Sequence, residues 1–543
     1  MSNTHRNPTD TEINAVIKFY TSGQIEEARA VLIRLTRKYP NEALLYNFLG
    51  VCYATLNQTE AAFGSFESAL RINPDNAEVH YNLGNTLKAC DRLNASIKSY
   101  TRALEINPFH ADTHINLGNA FKGIGNIEKA VSHYEHAIQI NPSYTEAHCN
   151  LGNTLHVIGN LEAAISCYQQ ALSIDPSDAE AHNCLGNTYN DLGKTDAALS
   201  AIEQALTIKP TNPQFWASYA TALHQKKFKT FNESFSNYLV KALQQPTINP
   251  NYIAPAIVSA LQQHPKIKLA IKASKNDLIE KNLPFFSDQL ASISLFLALL
   301  ENCPIADPEI EYLLTQMRRA ALNQLFDSIL NGIDFSFYYS LALHCFTNEY
   351  IFFETDEEIQ NVTKLENKIN YQVNNNLPIP PIWIVLLAAY RPLHNYLWAE
   401  QLQKTALPVN SHKILARQLF DIKKEQHLKT KIHQLTSIND STSNAVKEQY
   451  EQNPYPRWIN PGLFHNPKTI RENLHAINPQ LSIDDNHYSK MPNILIAGCG
   501  TGQHALNSQS RFLNCTVLAI DLSLNSLSYA MRKTHELSIT NIN

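Results

Sequence analysis

Residues 76–109 read NAEVHYNLGNTLKACDRLNASIKSYTRALEINPF and residues 110–143 read HADTHINLGNAFKGIGNIEKAVSHYEHAIQINPS, two stretches of 34 residues that align without a gap. The same step of 34 connects Pro40, Pro74, Pro108, Pro142, Pro176 and Pro210; Gly50, Gly84, Gly118, Gly152 and Gly186; and Ala69, Ala103, Ala137, Ala171 and Ala205. A fixed period of this length signals a stack of like units, each burying its apolar face on its neighbours. Large residues recur between the small ones: Leu49, Leu83, Leu117, Leu151 and Leu185 on a first helix, then Phe66, Tyr100, Tyr134 and Tyr168 on a second. The small positions let paired helices approach, the large ones fill the remaining space, and the proline ends the second helix.

This pattern resembles the tetratricopeptide repeat, a helix-turn-helix unit of 34 residues. An earlier unit over 9–42 keeps Gly23, Ala28 and Pro40, and a later one opens at Pro213 with Trp216, Tyr219 and Leu223. Both read as degenerate caps, as the ends of a solenoid must be. The expectation is a superhelical solenoid over 9–246, with six repeats and a partial seventh, in a mostly α chain.

Asparagines recur where packing does not demand them. Asn85, Asn119, Asn153 and Asn187 follow the glycines, and Asn82, Asn116 and Asn150 precede them by two residues. An amide both donates and accepts, so such a ladder can hold the backbone of an extended peptide without reading its side chains. Lys88 and Lys122 add positive charge to this groove. The arrangement resembles the asparagine ladder of O-linked N-acetylglucosamine transferases, although no glycosyltransferase domain follows. The alternative is that the asparagines cap or bridge adjacent helices. His80, His114, His148 and His182 share the period, but Tyr46 and Trp216 occupy the same repeat position, and adjacent repeats lie too far apart for bonds of about 2 Å to one ion. Packing accounts for them, and no metal is expected.

The net charge of −5 gives no electrostatic reason to expect nucleic acid or an anionic membrane. The polar N-terminus, and apolar runs such as Ile293 to Leu300 and Ile382 to Ala389 that are about half of a membrane span, lead to the expectation of a cytoplasmic protein. The nine cysteines include no C-x-x-C pair and read as reduced thiols.

From 247 to 440 the period disappears, while helical patterning persists in Gln289 to Leu300, Pro308 to Leu330 and Ile382 to Leu402, so a separate helical domain is expected. Aromatic residues crowd Phe337 to Glu358. Core packing is the ordinary explanation there, with a site built from His344, Asn348, Glu349 and Arg391 as the alternative.

Residues 441–543 carry the most chemical segment. A polar linker at Ser437 to Asn444 leads into an aromatic clasp, where Pro454, Pro456 and Pro461 exclude regular helix and Tyr450, Tyr455 and Trp458 supply apolar surface. Next comes NILIAGCGTG at 493–502, a short strand running into alternating glycines. A helix from Gln503 follows, then a strand at Thr516–Ile520 ending at Asp521, and a helix from Leu524 to Leu537. Gln503 stands where a dinucleotide fingerprint needs its third glycine, which argues against nicotinamide cofactors.

The segment resembles the first βαβα portion of the Rossmann-like class I S-adenosylmethionine-dependent methyltransferases, and 449–541 as a whole looks like bacterial methyltransferases that carry tetratricopeptide repeats in front. The resemblance implies that Gly498, Gly500 and Gly502 meet the methionine end of S-adenosylmethionine and Asp521 the ribose. It departs at Ile496, where many of these enzymes place an acid. The sequence stops at Asn543 after two of the usual seven strands, so the domain is expected to be incomplete, with cofactor binding dependent on its completion and no catalytic base assignable. The function expected is a methyltransferase whose repeats recruit a protein or peptide. The alternative is a non-catalytic interaction scaffold with a vestigial methyltransferase stub, and a glycosyltransferase adaptor ranks below both.

Overall fold

The computed structural model describes residues 8–224, 226–326, 334–404, 408, 411–433, 440–452, 457–464, 466–477 and 491–543. Pro454, Tyr455 and Pro456 of the expected clasp, residues 437–439 of the expected linker and residues 327–330 lie outside these. The chain divides into two compact units, Met1–Pro210 and Thr211–Asn543.

The first unit is six antiparallel helix pairs: α1 (Asp10–Thr21) with α2 (Ile25–Lys38), α3 (Ala43–Thr55) with α4 (Thr59–Ile72), α5 (Ala77–Ala89) with α6 (Leu93–Ile106), α7 (Ala111–Gly123) with α8 (Ile127–Ile140), α9 (Thr145–Val157) with α10 (Leu161–Ile174), and α11 (Ala179–Asp191) with α12 (Thr195–Ile208). A capping box opens α1, in which Thr9 accepts from the Glu12 N–H and Glu12 accepts from the Thr9 N–H. Each pair turns through one left-handed residue: Gly23, Asn57, Asp91, Gly125, Gly159 and Gly193, all at φ between +57° and +80°. These positions are again 34 apart, and glycine, asparagine and aspartate are the residues that adopt this conformation most readily.

Packing follows the small–large alternation. A Cβ on Gly84 would lie 2.5 Å from the Tyr100 ring, one on Gly118 2.7 Å from Tyr134, and one on Gly152 2.8 Å from Tyr168. The glycines therefore exist to admit the aromatic ring of the paired helix. The recurring alanines Ala69, Ala103, Ala137, Ala171 and Ala205 are all buried. The first helices α3, α5, α7, α9 and α11 touch in succession, whereas successive second helices approach less closely. The first helices thus line the inside of the curve.

The second unit begins with the helix Pro213–Leu223, which carries the buried Trp216, Tyr219 and Leu223, and continues through helices as far as Lys429. A polar cluster lies inside it. Arg318 and Glu358 are completely buried 3.7 Å apart, Arg319 donates to the same carboxylate at 3.0 Å, and the Tyr390 hydroxyl donates to it at 2.8 Å. The helix Ser411–Leu415 runs into a π-helical turn, Ala416–Phe420. The buried Gln418 side chain stabilises that turn by accepting from the Leu393 N–H and donating to the Ala342 and Ala388 carbonyls.

The C-terminal part of this unit holds two parallel strands, β1 (Asn493–Ala497) and β2 (Thr516–Ile520), paired in register from Asn493↔Thr516 to Ala497↔Ile520. The helix Gln503–Arg511 connects them. Residues 541–543 continue the sheet along the free edge of β2, with Val517 donating to Asn541 and Asn543 donating to Val517. Ile496 and Val517 are buried on one face, while Leu495 and Leu518 are exposed on the other. Among the described residues no single helix is long and apolar enough to cross a membrane.

Candidate functional site

On the inner face of the first unit the two asparagine rows do different work. Asn82 Nδ2 donates to the buried Asn47 at 3.1 Å, and Asn116 Nδ2 donates to the Tyr81 hydroxyl at 3.2 Å. In both cases the bond spans 35 residues and joins one repeat to the one before it. The residue 35 before Asn150 is Ile115, which offers no side-chain acceptor, and Asn150 makes only a 3.5 Å contact to Glu146. The first row is therefore largely an inter-repeat brace, the bridging alternative of the sequence reading.

In the second row, the Tyr100, Tyr134 and Tyr168 hydroxyls donate to the Oδ1 atoms of Asn85, Asn119 and Asn153 at 2.6, 2.6 and 2.7 Å. Each tyrosine holds its amide by the oxygen, so the Nδ2 donors, which have no partner among the described residues, stay available. Asn187 has Ile202 at the tyrosine position and no such constraint. Lys88 Nζ donates to Asn116, and burial lowers the proton affinity of both Lys88 and Lys122. No carboxylate pairs with either lysine among the described residues. The half-buried row is thus a set of donors in want of acceptors, which suits the carbonyl oxygens and carboxylates of an extended chain.

The recurring histidines have a more specific job than filling space. The Nε2 atoms of His80, His114, His148 and His182 lie 3.0–3.1 Å from the carbonyls of Pro74, Pro108, Pro142 and Pro176, six residues earlier in each repeat. A carbonyl only accepts, so Nε2 carries the proton, and the ring latches the turn between repeats. The constant proline-to-histidine spacing was the signal for this. No group of three or more metal-ligating side chains occurs among the described residues.

At the C-terminal ends of β1 and β2, Gly498, Gly500 and Gly502 adopt φ of +71°, +53° and +85°. Gly498 and Cys499 donate to the Ile520 carbonyl at 2.8 and 3.1 Å, and Gly500 N donates to Asp521 Oδ2 at 2.8 Å. The other Asp521 oxygen accepts from Ser523 N at 3.0 Å. The glycine loop and the acid, 19 residues beyond Gly502, are therefore in contact. A Cβ on Gly498 or Gly500 would meet open space, whereas one on Gly502 would lie 2.5 Å from Ala530 Cβ. The first two glycines leave room for a ligand, and the third admits the helix Leu524–Glu536. Trp458 closes the loop from behind, donating from Nε1 to the Thr501 carbonyl at 3.0 Å while stacking edge-on against Tyr529. Cys499 is buried beside Asp521, and burial and that carboxylate push its thiol up to about 12.

His344, Asn348, Glu349 and Arg391 do not share a set of hydrogen bonds or ion pairs among the described residues. His344 is completely buried, without a hydrogen bond of normal geometry to its ring, and Arg391 forms a two-pronged pair with Glu354 at 2.6 and 2.8 Å. Glu349 pairs instead with Arg457. All nine cysteines are free.

Family models describe much of the first unit. Residues 14–77, 77–110 and 179–212 match models of the tetratricopeptide repeat, and residues 124–159 and 156–193 match a TPR repeat model. The first unit accordingly carries tetratricopeptide repeats, of the kind found in protein–protein interaction modules. No curated protein matches the chain. Among solved structures it is similar to YrrB, described as a TPR protein with an unusual peptide-binding site, at 22% identity and a TM-score of 0.31, over 36% of this chain and 96% of that one. It is also similar to PilF of Pseudomonas aeruginosa, at 18% identity and a TM-score of 0.36, over 40% of this chain and 97% of that one. A third is TTC0263, a thermophilic TPR protein in Thermus thermophilus, at 26% identity and a TM-score of 0.28, over 33% of this chain and 98% of that one.

Proposed function

We propose that the chain grips an extended polypeptide on the inner face of its repeats, and that Asn85, Asn119 and Asn153 donate to that polypeptide's backbone carbonyls. The observation that carries this is the set of three Tyr–Asn hydrogen bonds, which hold each amide by its oxygen and leave its N–H groups over. Lys88 and Lys122, half-buried and in no ion pair among the described residues, favour a segment bearing acidic residues. The test is equilibrium binding of the full chain to a fluorescein-labelled, flexible peptide of Gly, Ser and Asp, against an equal-length peptide in which Lys replaces Asp. The acidic peptide is expected to bind more tightly, and Asn85→Ala, Asn119→Ala and Asn153→Ala together are expected to weaken it at least about tenfold, the low end for three lost hydrogen bonds. Equal binding of both peptides, or no change in the triple variant, contradicts the proposal.

The second reading is that the C-terminal segment is a methyltransferase-type site for S-adenosylmethionine, with the polypeptide as acceptor. The open space beside Gly498 and Gly500 favours it, together with one remaining lone pair on each Asp521 oxygen for a ribose hydroxyl. Gly498 and Gly500 would hold the methionine end and Asp521 the ribose, and the bound molecule would supply an activated methyl group. Titration calorimetry with S-adenosylmethionine tests it. Saturable binding that Asp521→Ala weakens at least about tenfold supports it, and saturable binding that Asp521→Ala leaves unchanged removes the claim that these residues hold the nucleoside.

A further inference from the structure

Within the second unit lies a cavity of 280 Å³ that neither reading above uses, with walls formed by the π-helical turn, the loop at Arg457 and Ile459, and the helix Leu524–Glu536. Five cations line it, Lys413, Arg417, Arg457, Arg532 and Lys533, together with the carboxylates of Asp421 and Glu536. Four of them have carboxylate partners. Lys413 pairs with Glu301, Arg457 with Glu349, Arg532 with Glu425 and Asp421, and Lys533 with Glu536, a carboxylate it shares with Arg532.

Arg417 is the exception. Its one hydrogen bond among the described residues runs from Nη1 to the backbone carbonyl of Glu301 at 2.6 Å, which leaves four of the five guanidinium donors without a protein partner. No carboxylate of the described residues forms an ion pair with it. The carboxylates of Glu301 and Asp421 act on its charge without bonding to it, so those donors still face the cavity unpartnered. Arg417 also belongs to the π turn Ala416–Phe420, a rare element that recurs at functional sites. The turn persists because Gln418 occupies three backbone groups, and it places Ala416 and Arg417 together in the cavity wall.

We propose that this cavity binds a small molecule through a phosphate group, with Arg417 as its principal ligand and Lys533 and Arg457 completing the cradle. Two guanidinium groups and one ammonium contribute, and the fork geometry of each guanidinium matches the oxygens of a phosphate. They come from three separate elements and so surround the cavity, which suits a tetrahedral oxyanion better than a flat carboxylate. Burial lowers the proton affinity of both Arg417 and Lys533, as it does for a desolvated cation awaiting an anion. The cavity depends on neither the inner face of the repeats nor the glycine loop, so failure of either reading above leaves it untouched.

The test is titration calorimetry of the full chain with inorganic phosphate at low ionic strength, with sulfate and acetate as separate titrants. Saturable binding of phosphate and sulfate is expected, with acetate at least about tenfold weaker. Arg417→Gln is expected to reduce phosphate affinity at least about tenfold. Ala416→Leu, which fills the cavity and keeps every charge, is expected to abolish binding, and it decides the matter if Arg417→Gln fails to fold. No saturable binding by the native chain, unchanged binding in either folded variant, or acetate binding as tightly as phosphate would each overturn the proposal.

Discussion

The two units solve the problem of buried polar groups in opposite ways. In the first, a given polar job is done by the same position in repeat after repeat: histidine latches the preceding proline carbonyl, tyrosine holds asparagine, and a left-handed residue makes the turn. In the second, a buried polar cluster draws its partners from far along the chain, as Glu358 gathers Arg318, Arg319 and Tyr390. A solenoid sums nearest-neighbour terms, so damage to one repeat stays near that repeat. A network of buried charges has no such firebreak, because removing one member strands the others.

The largest expected effect therefore lies in the second unit. Glu358→Ala leaves Arg318 buried without a counter-charge, at a cost of about 3–5 kcal/mol. Urea unfolding followed by the near-ultraviolet signal of the four tryptophans, Trp216, Trp383, Trp398 and Trp458, all in the second unit, would read it. A loss under about 1 kcal/mol would mean that the cluster is not a buried network.

Acid should act on the same unit. Burial lowers His344 from its ordinary 6.5 to about 4. The unfolded chain takes up this proton first, so the stabilising contribution is whole above pH 6.5 and is lost as the pH falls toward 4, where it levels off. The loss amounts to about 3 kcal/mol. His344→Phe should flatten that slope, and an unchanged slope in the variant would assign it to other groups.

A smaller and more local effect is expected from Gly118→Ala, whose Cβ would lie 2.7 Å from the Tyr134 ring. Overpacking of this kind costs about 1–3 kcal/mol. Hydrogen exchange should speed up in α7, α8 and their neighbours while the second unit is unaffected. Acceleration throughout the chain would break the distinction between the units.

What the sequence made legible follows the same divide. The repeats were readable because each physical requirement recurs, including some visible only as fixed spacings: proline to histidine at six residues, asparagine to tyrosine at fifteen, with the pairing interrupted where Ile202 follows Asn187. The functional sense of the asparagines was not separable in the sequence, since only geometry distinguishes Asn82 and Asn116, which brace repeats, from Asn85, Asn119 and Asn153, which are held by tyrosines. The glycine loop was legible because its residues are adjacent and Asp521 stands one connection away. A site of His344, Asn348, Glu349 and Arg391 was the alternative to core packing in two aromatic-rich stretches, but tertiary packing gave Arg391 to Glu354 and Glu349 to Arg457. No spacing announces the cavity around Arg417, whose walls come from segments more than a hundred residues apart.

The most direct test of the repeats as a backbone-gripping surface is the affinity of the full chain for the labelled Gly/Ser/Asp peptide in the single variant Tyr134→Phe. This change keeps the aromatic packing and removes only the hydroxyl that holds Asn119. The expected result is native-like folding with peptide affinity reduced several-fold, about 1 kcal/mol, because the released amide no longer presents its N–H groups in one orientation. Undiminished affinity in the folded variant would contradict it.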